Sequence, residues 1–131
     1  MPAAYPAVSD AALLALCARS ARRRGLKAHI GLVRSHDSFY IDEQAEVNRL
    51  WSGRGLLASD METAALLTVA RLRGLRAMSI LNTVVPWGGD TLDGIGAYSG
   101  GAEAAQWGEA ASIQTALDAC AAIERGEDWL A

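Results

Sequence analysis

Leu56-Leu57-Ala58-Ser59-Asp60-Met61-Glu62-Thr63-Ala64-Ala65-Leu66-Leu67 is the stretch that decides the fold. Residues 56–59 read as a short buried strand, and Asp60 then opens a strongly apolar helix over 61–73, stopped by Gly74. Acids stand at the start of that helix and Arg71 and Arg73 at its end, as a helix dipole favours. Upstream, 26–34 reads as a strand through Ile30, Leu32 and Val33, and 43–52 as a short helix closed by Gly53. Downstream, 75–85 is the strongest strand candidate, ended by Pro86. Ser9 or Asp10 caps a first helix that runs to about Arg24 before Gly25. A last helix runs over about 103–124 with Ile113, Ala116, Leu117 and Cys120 on one face, and the glycines between Gly88 and Gly101 predict a loop before it. Strands alternating with helices predict an α/β fold on a small parallel or mixed sheet whose edges need covering.

Composition narrows the function classes. The chain has 131 residues, 51% hydrophobic and 21% charged, which suits a single globular domain over 1–131. Lys and Arg number 12 against 15 Asp and Glu, and the net charge of −3 argues against nucleic acid or an anionic membrane as main partner. Arg22, Arg23 and Arg24 read as a solvated, dipole-favoured helix end. No apolar run reaches the ~18 residues of a membrane span, and the start lacks the layout of a signal peptide. Cys17 and Cys120 stand in no metal or redox spacing, so reduced thiols and a cytoplasmic location are expected.

Several apparent motifs dissolve on inspection. Ser35-His36-Asp37 holds the ingredients of a nucleophile triad, but consecutive residues of an extended segment point to alternate faces and cannot converge. His29 and His36 have no ligand-spaced partner, so no metal is expected. Gly94 to Gly100 resembles a dinucleotide loop, yet no buried strand precedes it.

The pair Asp60 and Glu62 is more informative, because the ends of strands in open α/β sheets are where ligands bind. Two readings stay open for it. Asp60 caps the helix and Glu62 complements its dipole; or a carboxylate there accepts hydrogen bonds from both hydroxyls of a vicinal diol such as a ribose. Phe39, the only phenylalanine, is either core or a flat surface for a heterocycle, and Trp87 either lines a base site or is structural.

Together Ser35-His36-Asp37-Ser38-Phe39-Tyr40, the run Ser59-Asp60-Met61-Glu62-Thr63-Ala64-Ala65-Leu66, and Ala77-Met78-Ser79-Ile80-Leu81-Asn82 resemble the nucleoside phosphorylase family, on its uridine-phosphorylase-like side. The match is ordered, starting at Tyr5-Pro6-Ala7-Val8-Ser9-Asp10 and running into the last helix. The resemblance implies the C-terminal portion of a three-layer α/β/α fold with a mixed central sheet, the N-terminal phosphate-binding portion being absent. It implies a pentosyltransferase, a glycosyltransferase of nucleotide salvage. Phosphate would attack C1′ of a nucleoside to give free base and pentose 1-phosphate, active only when the missing half is supplied. Glu62 would hold the ribose hydroxyls, Met61 pack on the sugar, Phe39 pack against the nucleoside, and Asp60 stand beside them. Val84 and Val85 occupy the place where purine-specific relatives and nucleosidases carry an aspartate, which points to a pyrimidine-type base. Gln44 meets the base only if the loop shifts by one residue, and the family's arginine after Phe-Tyr has no counterpart. The resemblance implies no cofactor beyond phosphate as co-substrate, and a homo- or hetero-oligomer that includes a chain carrying the missing half. The alternatives are an inactive nucleoside-binding module and, with less support, a nucleosidase.

Overall fold

The computed structural model describes residues 5–38 and 41–127. Its elements are, in order, α1 (Ala11–Arg23), β1 (Leu32–Ser35), α2 (Gln44–Ser52), β2 (Leu56–Asp60), α3 (Thr63–Leu72), α4 (Thr91–Ser99) and α5 (Glu103–Glu124). They fall into two compact units, one of residues 1–14 and 27–79, the other of 15–26 and 80–131.

The first unit is built on a parallel pair. β1 and β2 align Leu32 with Leu56, slip by a residue, and then align Val33 with Ala58, Arg34 with Ser59 and Ser35 with Asp60. The helix α2 lies between them in sequence, as a parallel connection requires. Trp51 of α2 has the guanidinium groups of Arg34 and Arg54 over its ring, at 5.9 Å and 5.4 Å from the centroid. On α3, Leu67 and Ala70 turn inward and are buried. The start of α1 joins this unit through Asp10. Its carboxylate accepts from Leu13 N (2.9 Å) and pairs with Arg76 (3.2 Å), while its own N–H donates to the Ala77 carbonyl. The Leu13 amide, more than Arg76, holds the Asp10 carboxyl below its usual range.

The α/β class is as the sequence predicts, but the sheet differs from expectation. Among the described residues it has two strands, not three. The first is shorter than the 26–34 expected, because a ladder is only as long as its partner and β2 has five residues. The segment 75–85, with the best strand composition in the chain, forms no ladder among the described residues. β-branched composition marks a segment that suits a sheet; hydrogen-bonded neighbours make it a strand.

The second unit is helical. Leu16, Cys17, Ser20 and Ala21 of α1 and Thr115, Ala119 and Ala122 of α5 are its buried residues. Ser20 Oγ donates to Asp118 (2.7 Å) and Arg24 pairs with the same carboxylate (2.7 Å), while Arg19 and Arg125 both pair with Glu127. The buried side of α5 is thus its small-residue side. The expected apolar face is open, with Ile113 and Leu117 more than half exposed, because small residues let helices approach more closely than branched ones. Cys17 and Cys120 are free thiols, and burial pushes the Cys17 thiol up.

The glycine-rich stretch corrects a second expectation. It holds α4, whose start is fixed by Asp90 accepting from Leu92 N (2.8 Å) and Asp93 N (3.0 Å). A side-chain cap of this kind offsets the cost of glycine inside a short helix. Gly94 has a packing reason as well: a Cβ there would lie 2.7 Å from Val85 Cγ2 and 3.0 Å from the Val84 carbonyl. Gly25, at φ +67°, ends α1 as the sequence predicts. Among the described residues no helix is long and apolar enough to cross a membrane.

The Asp118 cluster makes a pH prediction. Hydrogen bonds from Arg24 and then Ser20 lower its carboxyl from 3.8 to about 2. A carboxyl lowered on folding stabilises the fold above its unfolded value, and that contribution is lost as pH falls through the folded one. Asp118→Asn is therefore expected to lower the denaturant midpoint at pH 6, with the gap to the parent closing between pH 3.8 and about 2. A gap that stays constant across that range would show that ionisation of Asp118 contributes nothing.

Candidate functional site

The end of β2 and the start of α3 form a braced junction in the first unit. Asp60, the last residue of β2, turns both carboxylate oxygens inward. Oδ1 accepts from the Ser35 hydroxyl (2.6 Å) and Oδ2 from Thr63 N (3.1 Å). Ser35 Oγ in turn accepts from Ala64 N (2.8 Å), so one serine bridges the carboxylate and a free amide of the helix. The His36 amide donates to the Asp60 carbonyl (3.0 Å), and the Thr63 hydroxyl to Ser79 Oγ (2.9 Å). Two of the unpaired amides that open every α-helix are thereby satisfied from outside the helix.

This geometry divides the two acids. Asp60 is the cap. Glu62 makes no side-chain cap bond; its carbonyl accepts from Leu66 N (2.9 Å), and its carboxylate stays at the surface, accepting from Met61 N (3.0 Å). Met61, 41% exposed, stands beside it. The helix starts at Thr63 rather than Met61 because the Asp60 cap spans three residues to the Thr63 amide, which leaves Met61 and Glu62 in the bend. An exposed carboxylate in the bend just before a helix, next to an exposed thioether, can accept two hydroxyl hydrogen bonds while an apolar face packs beside it.

The other candidate residues belong to other segments of the chain. Gln44 is the first residue of α2, and its Nε2 donates to Asn48 Oδ1 (2.7 Å) along its own helix. Val84 and Val85 belong to the second unit, against α4; Trp87, in the same unit, is 67% exposed and not structural core. Phe39 lies outside the described residues. Ser35 and His36 do not act together: the hydroxyl is committed to Asp60, and His36 Nδ1 lies 2.8 Å from the Ser38 carbonyl.

Ser35 is the site residue that motif reading missed. Its role comes from the register that sets it opposite Asp60 across the sheet, 25 positions away. The available signal was a serine at the end of one strand and an aspartate at the end of the next, in strands expected to run parallel.

Comparison with known proteins identifies the family. Residues 1–123 match the family model described as the phosphorylase superfamily. Uridine phosphorylase of Klebsiella aerogenes is 31% identical over 64% of this chain and 38% of its own length. Guanosine phosphorylase of Halorubrum lacusprofundi is 37% identical over 58% of this chain and 31% of its own. The crystal structure of uridine phosphorylase from Vibrio fischeri ES114 in complex with 6-hydroxy-1-naphthoic acid superposes with a TM-score of 0.77 at 41% identity, covering 92% of this chain and 48% of that one. The chain thus spans less than half the length of the relatives it matches.

Proposed function

Because this chain belongs to the phosphorylase superfamily, we propose that it provides the ribose and base side of a nucleoside phosphorylase site, with Glu62 as the ribose ligand. The observation that carries the reading is the division of labour at the junction: Asp60 braces the strand end, and Glu62 is left at the surface in the bend. A carboxylate accepting from both O2′ and O3′ fixes the sugar, and Met61 beside it offers an apolar face to the ring. Phosphate attacks C1′ as the C1′–N bond breaks. The base leaves with the bond's electron pair and pentose 1-phosphate remains. Positive charge builds on the sugar in between, so an anionic carboxylate near the ribose stabilises the transition state more than the bound nucleoside. Orientation of phosphate, sugar and base supplies the rest.

A pyrimidine base is the finer part of the proposal. It rests on Val84 and Val85, which cannot donate a proton to a purine nitrogen, and on the uridine phosphorylase relatives; guanosine and purine nucleoside phosphorylases among the relatives make the purine the competing choice. Phe39 and Gln44 are proposed base contacts, and Gln44 must release Asn48 to serve. Phosphate is the co-substrate, in an oligomer of cytoplasmic location.

The test is release of free base from uridine and from guanosine, each with and without phosphate, in an assembly containing this chain and its complement. Release that depends on phosphate, faster for uridine, is expected. Release undiminished without phosphate would make the protein a nucleosidase. No release despite Glu62-dependent nucleoside binding would make it a binding module, and either result overturns the phosphorylase reading.

A further inference from the structure

His36 follows β1 directly, and its amide closes the last rung of the sheet by donating to the Asp60 carbonyl (3.0 Å). The register sets Ser35 opposite Asp60, so the next residue along each strand meets its counterpart: His36 stands beside Met61. Neighbouring strands lie about 4.8 Å apart. The backbone of His36 is therefore within one side chain's reach of the bend that carries Met61 and Glu62, in the same unit. Its half-buried imidazole takes no part in the Ser35–Asp60 brace. The ring is already oriented. Nδ1 lies 2.8 Å from the Ser38 carbonyl, and a carbonyl oxygen only accepts, so Nδ1 carries the hydrogen. In a neutral imidazole that leaves Nε2 as a bare acceptor, and among the described residues nothing donates to it. Of the side chains proposed for the base, Val84 and Val85 carry no polar atom and the Gln44 amide is engaged with Asn48.

We propose that His36 is a specificity-determining residue of the nucleoside site, its Nε2 accepting a hydrogen bond from a ring N–H of the base. The substrate class is then the nucleosides whose base bears that hydrogen. Among pyrimidines, uracil and thymine carry it on N3, whereas cytosine presents a lone pair there and sets acceptor against acceptor. Among purines the same rule favours guanine and hypoxanthine, with a hydrogen on N1, over adenine. A site that hydrogen-bonds a substrate N–H rejects the analogue lacking it more sharply than an apolar pocket rejects a change of size, because its polar group is left unpaired. The inference deepens the functional reading above and rests on it for the ribose at Glu62; what it adds is the edge of the base that is read.

The test is calorimetric titration, in the same assembly as the phosphorolysis assay, with uridine, cytidine and 3-methyluridine, in which a methyl group replaces the N3 hydrogen. Wild type is expected to bind uridine at least tenfold more tightly than either of the others. His36→Ala is expected to weaken uridine binding about tenfold, as loss of one net hydrogen bond does, and so to remove most of the preference. His36→Phe keeps the bulk of the ring without its acceptor and repeats the measurement should His36→Ala fold poorly. The ratio of uridine to 2′-deoxyuridine affinity reports on the ribose and is expected to stay as in wild type. Wild-type indifference to the group at N3, or a uridine preference that survives both substitutions, would overturn the proposal. Glu62→Ala is titrated alongside. A preference independent of His36 with Glu62-dependent binding defeats this inference alone; a preference lost with His36 while binding is indifferent to Glu62 defeats the ribose reading alone.

Discussion

Glu62→Ala is expected to lower nucleoside affinity about 100-fold while leaving thermal stability almost unchanged. Each hydrogen bond to an ionised carboxylate contributes roughly 1.5–3 kcal/mol, and a ribose diol loses two of them, less what water restores. A net loss of about 2.7 kcal/mol corresponds to that factor. The stability half of the prediction follows from the geometry: Glu62 makes no side-chain cap bond and stands at the surface, so its removal costs the helix no more than a dipole contribution of about 0.3–1 kcal/mol. Glu62→Gln separates charge from shape, since the amide retains one acceptor oxygen and loses the charge. It is expected to fall between wild type and Glu62→Ala in calorimetric titration with uridine, and closer to wild type for 2′-deoxyuridine, which lacks one of the two hydroxyls. Unaltered affinity in Glu62→Ala would return the residue to a helix-dipole role.

Asp60→Ala should do the opposite: a large loss of stability. The substitution removes the cap on Thr63 N, worth about 1 kcal/mol. It also strips the Ser35 hydroxyl of its acceptor, which adds about 1 kcal/mol or more for a partly buried donor left unpaired. The sum of about 2–3 kcal/mol lowers the melting temperature by roughly 10 °C in a domain of this size. Asp60→Asn keeps one acceptor oxygen and should recover part of the loss, and Ser35→Ala should show the other side of the coupling. In a double-mutant cycle the two substitutions are expected to be non-additive, because they share one hydrogen bond. Additive losses would mean that the Ser35–Asp60 contact carries no stability. Any fall in nucleoside affinity in Asp60→Ala should track the loosening of the junction and recover on cooling, whereas the fall in Glu62→Ala should not.

These contrasts mark how far the residues could be read without the fold. The start and stop of α1 and α5 and the position of α2 are local matters of caps, glycines and periodicity, and they agree with the structure to within a residue or two. The strand at 75–85 does not, since its residues suit a sheet and the described chain offers it no ladder. Neither does the glycine-rich loop, where Asp90 capping outweighs glycine and yields α4. At the site, the run Asp60-Met61-Glu62 was legible as a strand-end carboxylate pair, but the division of roles inside it was not. Both acids fit a cap, and both fit a ligand, until the partners of each oxygen are known.

By itself, the sequence determined the α/β class and the short run that carries the paired acids, because these follow from periodicity and residue type, and its ordered motifs carried the resemblance to the family. Tertiary structure decided which carboxylate is spent on the fold and which is left at the surface. That choice depends on the parallel register that sets Ser35 opposite Asp60, and hydrogen bonds across a sheet join residues whose spacing no local pattern encodes.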